Sequence, residues 1–467
     1  MDQFETQQLV AAGLTLLQRC APLVRALSGK RGAILLPTSP AFFTALAACD
    51  GRGAVLVNPW AAPAEIAHQL ADARAGAVFT IGAFAGHVPR HIPRVLLDDA
   101  PRVARFAGEG TSRDVDLASH AGLAITGEPD APGRDDEAAI VYTSAMAGTP
   151  LGAILTHRNL LENAGSTVAA AGNGADDQVL AVLPFAHLFG LVVTGAAPLL
   201  AGARVVTMPR FVPARAVELI AGGKITEVAG VPAVFRSLLG AMERHGERGA
   251  GELRLCICGG SPLSADLQEQ WFDATDVELR QGYGLTEAGP VCLFNRVDMA
   301  NAPGTLGEPL PGVRVELRTP VPYDESGQAR VDLAAADVSA DAGEICVRGD
   351  NVFAGYVSGS PAGLAVRDGW LHTGDLGRRD SSGRITFAGV AKPMFTRNGF
   401  NVYPREIERA VSSMPGIDGV TVRELAEPDR ESEIGLDVRG AVSEDAVRRW
   451  CAERLSAYKQ PSVVSIR

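Results

Sequence analysis

The segment Tyr142-Thr-Ser-Ala-Met-Ala-Gly-Thr-Pro-Leu-Gly152 follows an apolar run and gathers hydroxyls, small side chains and glycines. Such a loop lets backbone N–H groups approach a phosphate, and Thr143, Ser144 and Thr149 add hydroxyl donors around Gly148. It has no Gly-Lys-Ser/Thr in register and is not a Walker A loop. Taken alone, a plain Gly/Ser turn explains it as well. A second segment, Gln281-Gly-Tyr-Gly-Leu-Thr-Glu-Ala-Gly-Pro290, places the oxygen donors Thr286 and Glu287 after the flat ring of Tyr283. A purine can stack on such a ring, and the two oxygens suit a phosphate-bound Mg²⁺. Gly282 and Gly284 permit close backbone packing. The bland alternative is a hairpin with one exposed acid. A third segment, Asp368-Gly-Trp-Leu-His-Thr-Gly-Asp375-Leu-Gly377, carries a carboxylate that could accept both hydroxyls of a ribose. A lone Asp beside Gly is otherwise a turn residue.

These segments have to be positioned by a scaffold, and the pattern of the chain suggests which. Short apolar runs at 33–36, 54–57, 77–80, 139–143, 179–183, 204–208, 226–229 and 253–258 read as strands. Helical patterns at 63–73, 158–171, 212–221 and 233–245 alternate with them. That alternation predicts largely parallel sheets covered by helices, with ligands held in loops at the carboxyl ends of the strands. From about Gly304 short strands at 313–317, 344–348 and 384–387 predict an antiparallel part. After Gly389 a small mixed tail follows, with helices expected at 404–413 and 444–457. The expected fold is therefore α/β: a large N-terminal domain of helix-covered, mostly parallel sheets over 1–389, with a small β-barrel-like subdomain from about 304, then a small α+β domain over 390–467. The uncharged stretch 179–203 is interrupted by Pro184, Gly190, Gly195, Pro198 and Gly202, so a buried strand, turn and helix is expected there and no transmembrane segment.

Composition narrows the function classes. With 46% hydrophobic and 21% charged residues, the 467-residue chain is not intrinsically disordered. A net charge of −11 argues against nucleic acid as a partner. The seven cysteines are scattered without paired CxxC spacing, so reduced thiols in a cytoplasmic core are expected and no zinc site. MDQFETQQLV has no basic flank before an apolar stretch and does not read as a signal peptide.

The three segments, in this order, resemble the adenylate-forming superfamily: acyl- and aryl-CoA synthetases, adenylation domains of peptide synthetases and firefly-type luciferases. Leu183-Pro-Phe-Ala-His-Leu-Phe-Gly190, Gly230-Val-Pro232, Cys258-Gly-Gly-Ser-Pro-Leu-Ser264, Gly304-Thr-Leu-Gly-Glu-Pro309 and Gly399-Phe-Asn-Val-Tyr-Pro-Arg-Glu-Ile-Glu408 extend the resemblance through nearly the whole chain. It implies a two-step reaction in which ATP and a carboxylic acid give acyl-AMP, and a thiol, coenzyme A or an acyl carrier protein, then takes the acyl group. It further implies that Tyr283, Gly259 and Gly260 hold adenine and that Asp375 holds ribose. Thr286 and Glu287 would act on phosphate and Mg²⁺. His187, Gly282, Gly289, Pro290 and Val291 would line the acyl pocket, His187 as a wall or gate and not as a general base.

Departures from the family pattern accompany the matches. Leu151 stands where the phosphate loop carries Lys, Val390 where the hinge carries Arg, and Pro393 at the hinge pivot. Losing one charge-assisted contact costs on the order of 1.5–3 kcal/mol. The family's terminal Gly-Lys is expected to be absent, which would make the last domain truncated. Two functions therefore stay open: a ligase that activates a carboxylic acid, and a degenerate relative that binds acyl or nucleotide ligands, or performs only thioester formation, without adenylation.

Overall fold

The computed structural model describes residues 5–97, 103–108, 111–116, 132–143, 150–246, 250–320, 342–357, 359, 366–391, 394–397, 400–425 and 432–467. Strands such as Leu255–Cys258 and Glu227–Gly230 are buried along their whole length, as strands covered on both faces are. Two large sheets result. In the first, Glu137–Thr143, Ala54–Leu56, Arg31–Leu35, Ala75–Thr80 and Arg94–Leu97 run parallel in that spatial order. Antiparallel strands flank them on both sides: Leu151–Thr156 and Gly355–Tyr356 on one, Val103–Gly108 and Thr111–Asp116 on the other. In the second sheet, Arg204–Thr207, Gln178–Ala181, Glu227–Gly230, Leu255–Cys258 and Leu279–Gly284 are parallel, and Val291–Phe294 and Glu308–Pro309 add antiparallel strands.

The antiparallel part expected from about Gly304 is present as a sheet of Arg314–Arg318, Ala342–Arg348, Trp370–Arg379, Val366–Arg367 and Ile385–Val390. Beyond it, Ile417–Leu425, Glu433–Gly440 and Val463–Ile466 form a third region with the helices Pro404–Ser412 and Glu444–Arg454. Its apolar residues, from Phe395 to Val464, form a cluster of their own. The last helix stops at Arg454, earlier than the sequence pattern suggested, because Leu455 is extended (φ −122°, ψ 133°).

The helix His157–Ala171 is fixed at both ends. Thr156 caps it reciprocally: its hydroxyl accepts from Asn159 N–H (3.2 Å) and its own N–H donates to Asn159 Oδ1 (2.8 Å). Gly172 closes it in the left-handed conformation (φ +62°). The stretch 179–203 folds as expected, a strand to Ala181 and then the helical turns Phe189–Ala196 and Ala197–Leu200. Among the described residues no single helix is long and apolar enough to cross a membrane. The helices Thr6–Arg19 and Ala21–Leu27 reach that length and apolarity only together, across a 92° bend, and Leu16 and Leu23 are fully buried. All seven cysteines are free and buried.

One buried acid in the second sheet has a measurable consequence. Glu227 is fully buried, accepts from Asn173 Nδ2 at 2.6 Å, and has no partner for its other oxygen. Burial pushes its carboxyl up to about 8, against the pull of Arg254. The folded state therefore holds a proton that the unfolded chain releases near pH 4.5. That contribution is complete below the unfolded value and is lost as pH rises towards 8. Between about pH 5.5 and about 7 it amounts to on the order of 2 kcal/mol. Denaturant titrations should show Glu227→Gln to be less pH-dependent than the parent by that amount; equal slopes would refute the assignment.

Candidate active site

A cavity of about 830 Å³ lies where the two large sheets, the antiparallel sheet and the C-terminal region meet. It is lined by Thr143, His187, Gly259, Gly260, Gly282, Tyr283, Gly284, Thr286, Glu287, Pro290, Val291 and Asp375, all singled out from sequence. Gly289 is not in the lining: it sits behind it at φ +82°, where an added Cβ would meet the Asn351 carbonyl at 2.8 Å. Ser144, Gly148 and Thr149 lie outside the described residues, although Thr143 and Leu151 on either side of them line the cavity.

Two expectations about local structure need correction. Gln281–Gly284 are not loop residues but the end of the strand Leu279–Gly284. The glycine is needed because a Cβ on Gly284 would fall 1.8 Å from the Pro290 carbonyl oxygen of the antiparallel neighbour. Asp375 likewise lies within the strand Trp370–Arg379, opposite Val390 in the neighbouring strand. The glycines in these segments serve sheet packing as well as turns.

Tyr283 OH donates to Asp375 Oδ2 at 2.8 Å, which ties the second segment to the third. Asp375 is itself held from below. Glu344 Oε1 accepts from Gly374 N–H and Glu344 Oε2 meets His372 Nδ1, both at 2.8 Å. Thr373 Oγ1 donates to the Ile345 carbonyl (2.8 Å) and accepts from Asp375 N–H (3.1 Å). Glu344, Cys346 and His372 are the one group with metal-ligand spacing among the described residues. The ring nitrogen they share is already engaged by Glu344, so the cluster reads as a brace for residues 372–375.

Glu287 is not the exposed acid of a simple hairpin; it is 5% exposed. Its Oε1 accepts from Tyr356 OH at 2.9 Å, a partner the sequence pattern did not single out. Its segment is clamped by two buried amides, Asn163 Nδ2 on the Val291 carbonyl (2.7 Å) and Asn351 Nδ2 on the Ala288 carbonyl (2.8 Å). Fixing a carboxylate in this way lowers the reorganisation required when charge develops nearby.

His187 lines the cavity beside Asn58, 3.4 Å from its Nε2. Burial pulls its imidazolium down to about 4, so the ring is neutral at physiological pH. The C-terminal region reaches it: the Phe400 ring lies 5.2 Å from the His187 ring and stacks at 4.4 Å on Tyr458. No sequence signal marked Phe400 or Tyr458 as cavity residues, because they become so only when that region docks. Among the described lining residues Arg210 is the one Lys or Arg, while Glu287, Asp375 and Glu424 are acidic. Leu151 and Val390 line the cavity as the apolar residues they are, and Pro393 lies outside the described residues.

A cavity at the carboxyl ends of parallel strands is where open α/β sheets hold their ligands. The family model for AMP-binding enzymes matches residues 18–357, and the chain belongs to that family. It is 32% identical to a feruloyl-CoA synthase of Amycolatopsis over 93% of this chain and 84% of that protein. It is 29% identical to a long-chain-fatty-acid–CoA ligase of Escherichia coli O157:H7 over 94% and 82%. Among solved structures, a malonyl-CoA ligase in a ternary product complex with methylmalonyl-CoA and AMP superposes with a TM-score of 0.76 at 26% identity, covering 98% of this chain and 93% of that one.

Proposed function

We propose that this protein is an AMP-forming carboxylic acid–thiol ligase of the acyl- or aryl-CoA type. The observation that carries it is the convergence of Tyr283, Asp375, Thr286 and Glu287 on one cavity that also has an apolar wall at Pro290 and Val291. In this reading Tyr283, Gly259 and Gly260 contact adenine, and Asp375 accepts from ribose hydroxyls. The acid's carboxylate oxygen attacks the α-phosphorus of ATP and pyrophosphate leaves. A thiol of coenzyme A, or of a carrier protein, then attacks the acyl carbon and AMP leaves. His187, neutral and beside Phe400, walls the acyl group and excludes water. Positioning and charge neutralisation supply most of the catalysis.

The donors Thr286 and Glu287 are hard oxygens and fit Mg²⁺. A cation bound there would neutralise phosphate charge, for which the described lining offers only Arg210. The chain 390–467 is read as a small domain, on the ground that its core is separate and its Phe400 and Tyr458 close the cavity.

That Arg210 is the one Lys or Arg among the described lining residues favours a second reading, in which the protein works from acyl-AMP and carries out only the thiol transfer. One assay pair separates the two. Pyrophosphate exchange dependent on a carboxylic acid, with Mg²⁺ present, is expected of the ligase. If no acid across aliphatic and aromatic panels supports exchange, while synthetic acyl-AMP and coenzyme A still give thioester, the second reading replaces the first.

A further inference from the structure

A second cavity, of about 320 Å³, lies between the helix His157–Ala171 and the antiparallel sheet. Where Thr167 and Ala170 of the helix line the first cavity, Glu162 and Ser166 line the second. Arg314 and Arg348 stand in the same lining. These two are register partners in the antiparallel strands Arg314–Arg318 and Ala342–Arg348, so they share one face with Cβ atoms about 5 Å apart. Like charges in directly opposed positions repel. Both side chains are exposed, and neither guanidinium has a hydrogen bond or an ion pair among the described residues. The next arginine of the same strand differs: Arg318 pairs with Glu316 at 2.8 Å and lies over the Trp370 ring.

The acids of the lining do not answer this charge. Glu162 is paired with Arg134, and Asp350 is attracted by Arg158, which is bonded to Asp135 at 2.7 and 3.0 Å. Two adjacent cations are left over a floor of bare backbone, where a Cβ on Gly349 would meet the Gly312 carbonyl at 2.9 Å. The turn that follows Arg348 leads to the first cavity. Asn351 lines the second cavity and donates to the Ala288 carbonyl at 2.8 Å, and Phe353 N–H donates to the Glu287 carbonyl at 2.9 Å. Asn159 holds the same turn from the helix, on the Asp350 and Val352 carbonyls.

We infer that this second cavity binds a small dianion of the phosphate type, with Arg314 and Arg348 as its donors, and that its occupancy sets the turn 349–353 against Glu287. A guanidinium offers a planar fork to an oxyanion, and a tetrahedral dianion has oxygens enough for both forks. The same dianion removes the repulsion across the ladder, so it stabilises the folded chain. A long polyanion is disfavoured by the net charge of −11 and by the size of the cavity. The effect on Glu287 rests on the ligase reading above; the binding site does not.

The experiment titrates the full chain with inorganic phosphate and, separately, with pyrophosphate, at constant ionic strength and against NaCl as control. Calorimetry and the thermal midpoint are both read. At least one of the two anions is expected to bind and to raise the midpoint. Arg314→Gln and Arg348→Gln should each weaken that binding roughly tenfold or more. Without anion their midpoints should equal or exceed that of the parent, because the repulsion is gone. No binding beyond the NaCl control, or binding that survives in both variants, overturns the inference. Midpoints below the parent's in both variants also overturn it, since the arginines then serve the fold. In thioester formation from a carboxylic acid, ATP and coenzyme A, saturating anion should lower the free Mg²⁺ needed for half-maximal rate in the parent and not in Arg348→Gln. Binding without that change overturns the link to Glu287. Binding that both variants lose, with no thioester from any acid, sustains the site and counts against the ligase reading instead.

Discussion

Replacing Lys459 by Met should loosen the C-terminal region from the rest of the molecule at a cost of about 3–5 kcal/mol. Lys459 is 3% exposed and donates to two carboxylates, Glu65 Oε1 at 2.8 Å and Glu406 Oε1 at 2.6 Å. Glu65 lies on the helix Pro63–Asp72 of the first large sheet's covering layer, and Glu406 on Pro404–Ser412 of the C-terminal region. Ser456 also bonds Glu65, so the contact spans the two regions through a buried charged network. Burial pushes the Glu406 carboxyl up, and Lys459 opposes that rise. Removing the ammonium leaves two acids facing each other without a cation, and desolvation is then uncompensated. The expected result is a lower thermal midpoint and faster proteolysis between residues 390 and 400. Acidification should partly rescue the variant. An unpaired buried carboxyl has a raised folded-state pKa, so its stabilising protonated form is present at low pH and lost as pH rises. Glu406→Gln in the same chain should recover part of the loss. An unchanged midpoint together with an unchanged cleavage pattern would show that the network contributes no net docking energy.

The second large effect is expected at Asp375. Asp375→Ala should weaken AMP binding by about 2–3 kcal/mol, roughly 30- to 150-fold in Kd. The carboxylate stands 2.8 Å from Tyr283 OH and is braced through Gly374 and Thr373, so its position is set before a nucleotide arrives. Preorganisation of this kind is what makes a single acceptor worth so much. Tyr283→Phe keeps the ring and removes only the bond to Asp375, and should cost less than Asp375→Ala. Calorimetry with AMP reads both. If Asp375→Ala binds AMP as tightly as the parent, the carboxylate does not hold ribose and the nucleotide assignment of this side of the cavity fails.

Much of the site was legible because its motifs combine unusual residue types at short range. Tyr283, Thr286 and Glu287 fall within five positions, and Asp375 follows a glycine. Strands such as Leu255–Cys258 were legible for the related reason that a strand buried on both faces must be continuously apolar. The helices Pro40–Ala48 and Thr6–Arg19 went unmarked. The first is apolar on all sides and offers no 3.6-residue period to detect. The strand Val103–Gly108 and the edge strand Thr111–Asp116 were missed because one alternates weakly and the other is largely polar.

The sequence by itself therefore determined the family, the alternating α/β plan and the identities of the polar residues Tyr283, Thr286, Glu287 and Asp375 that line the cavity. These depend on local composition and spacing, which survive without knowledge of partners. Only the tertiary structure decided which groups are satisfied. It gave Glu287 its partner Tyr356, placed Lys459 between two acids from distant helices, and left Thr167 without a bond. Pairing and desolvation depend on atoms brought together across hundreds of residues of chain, and no short-range pattern encodes them.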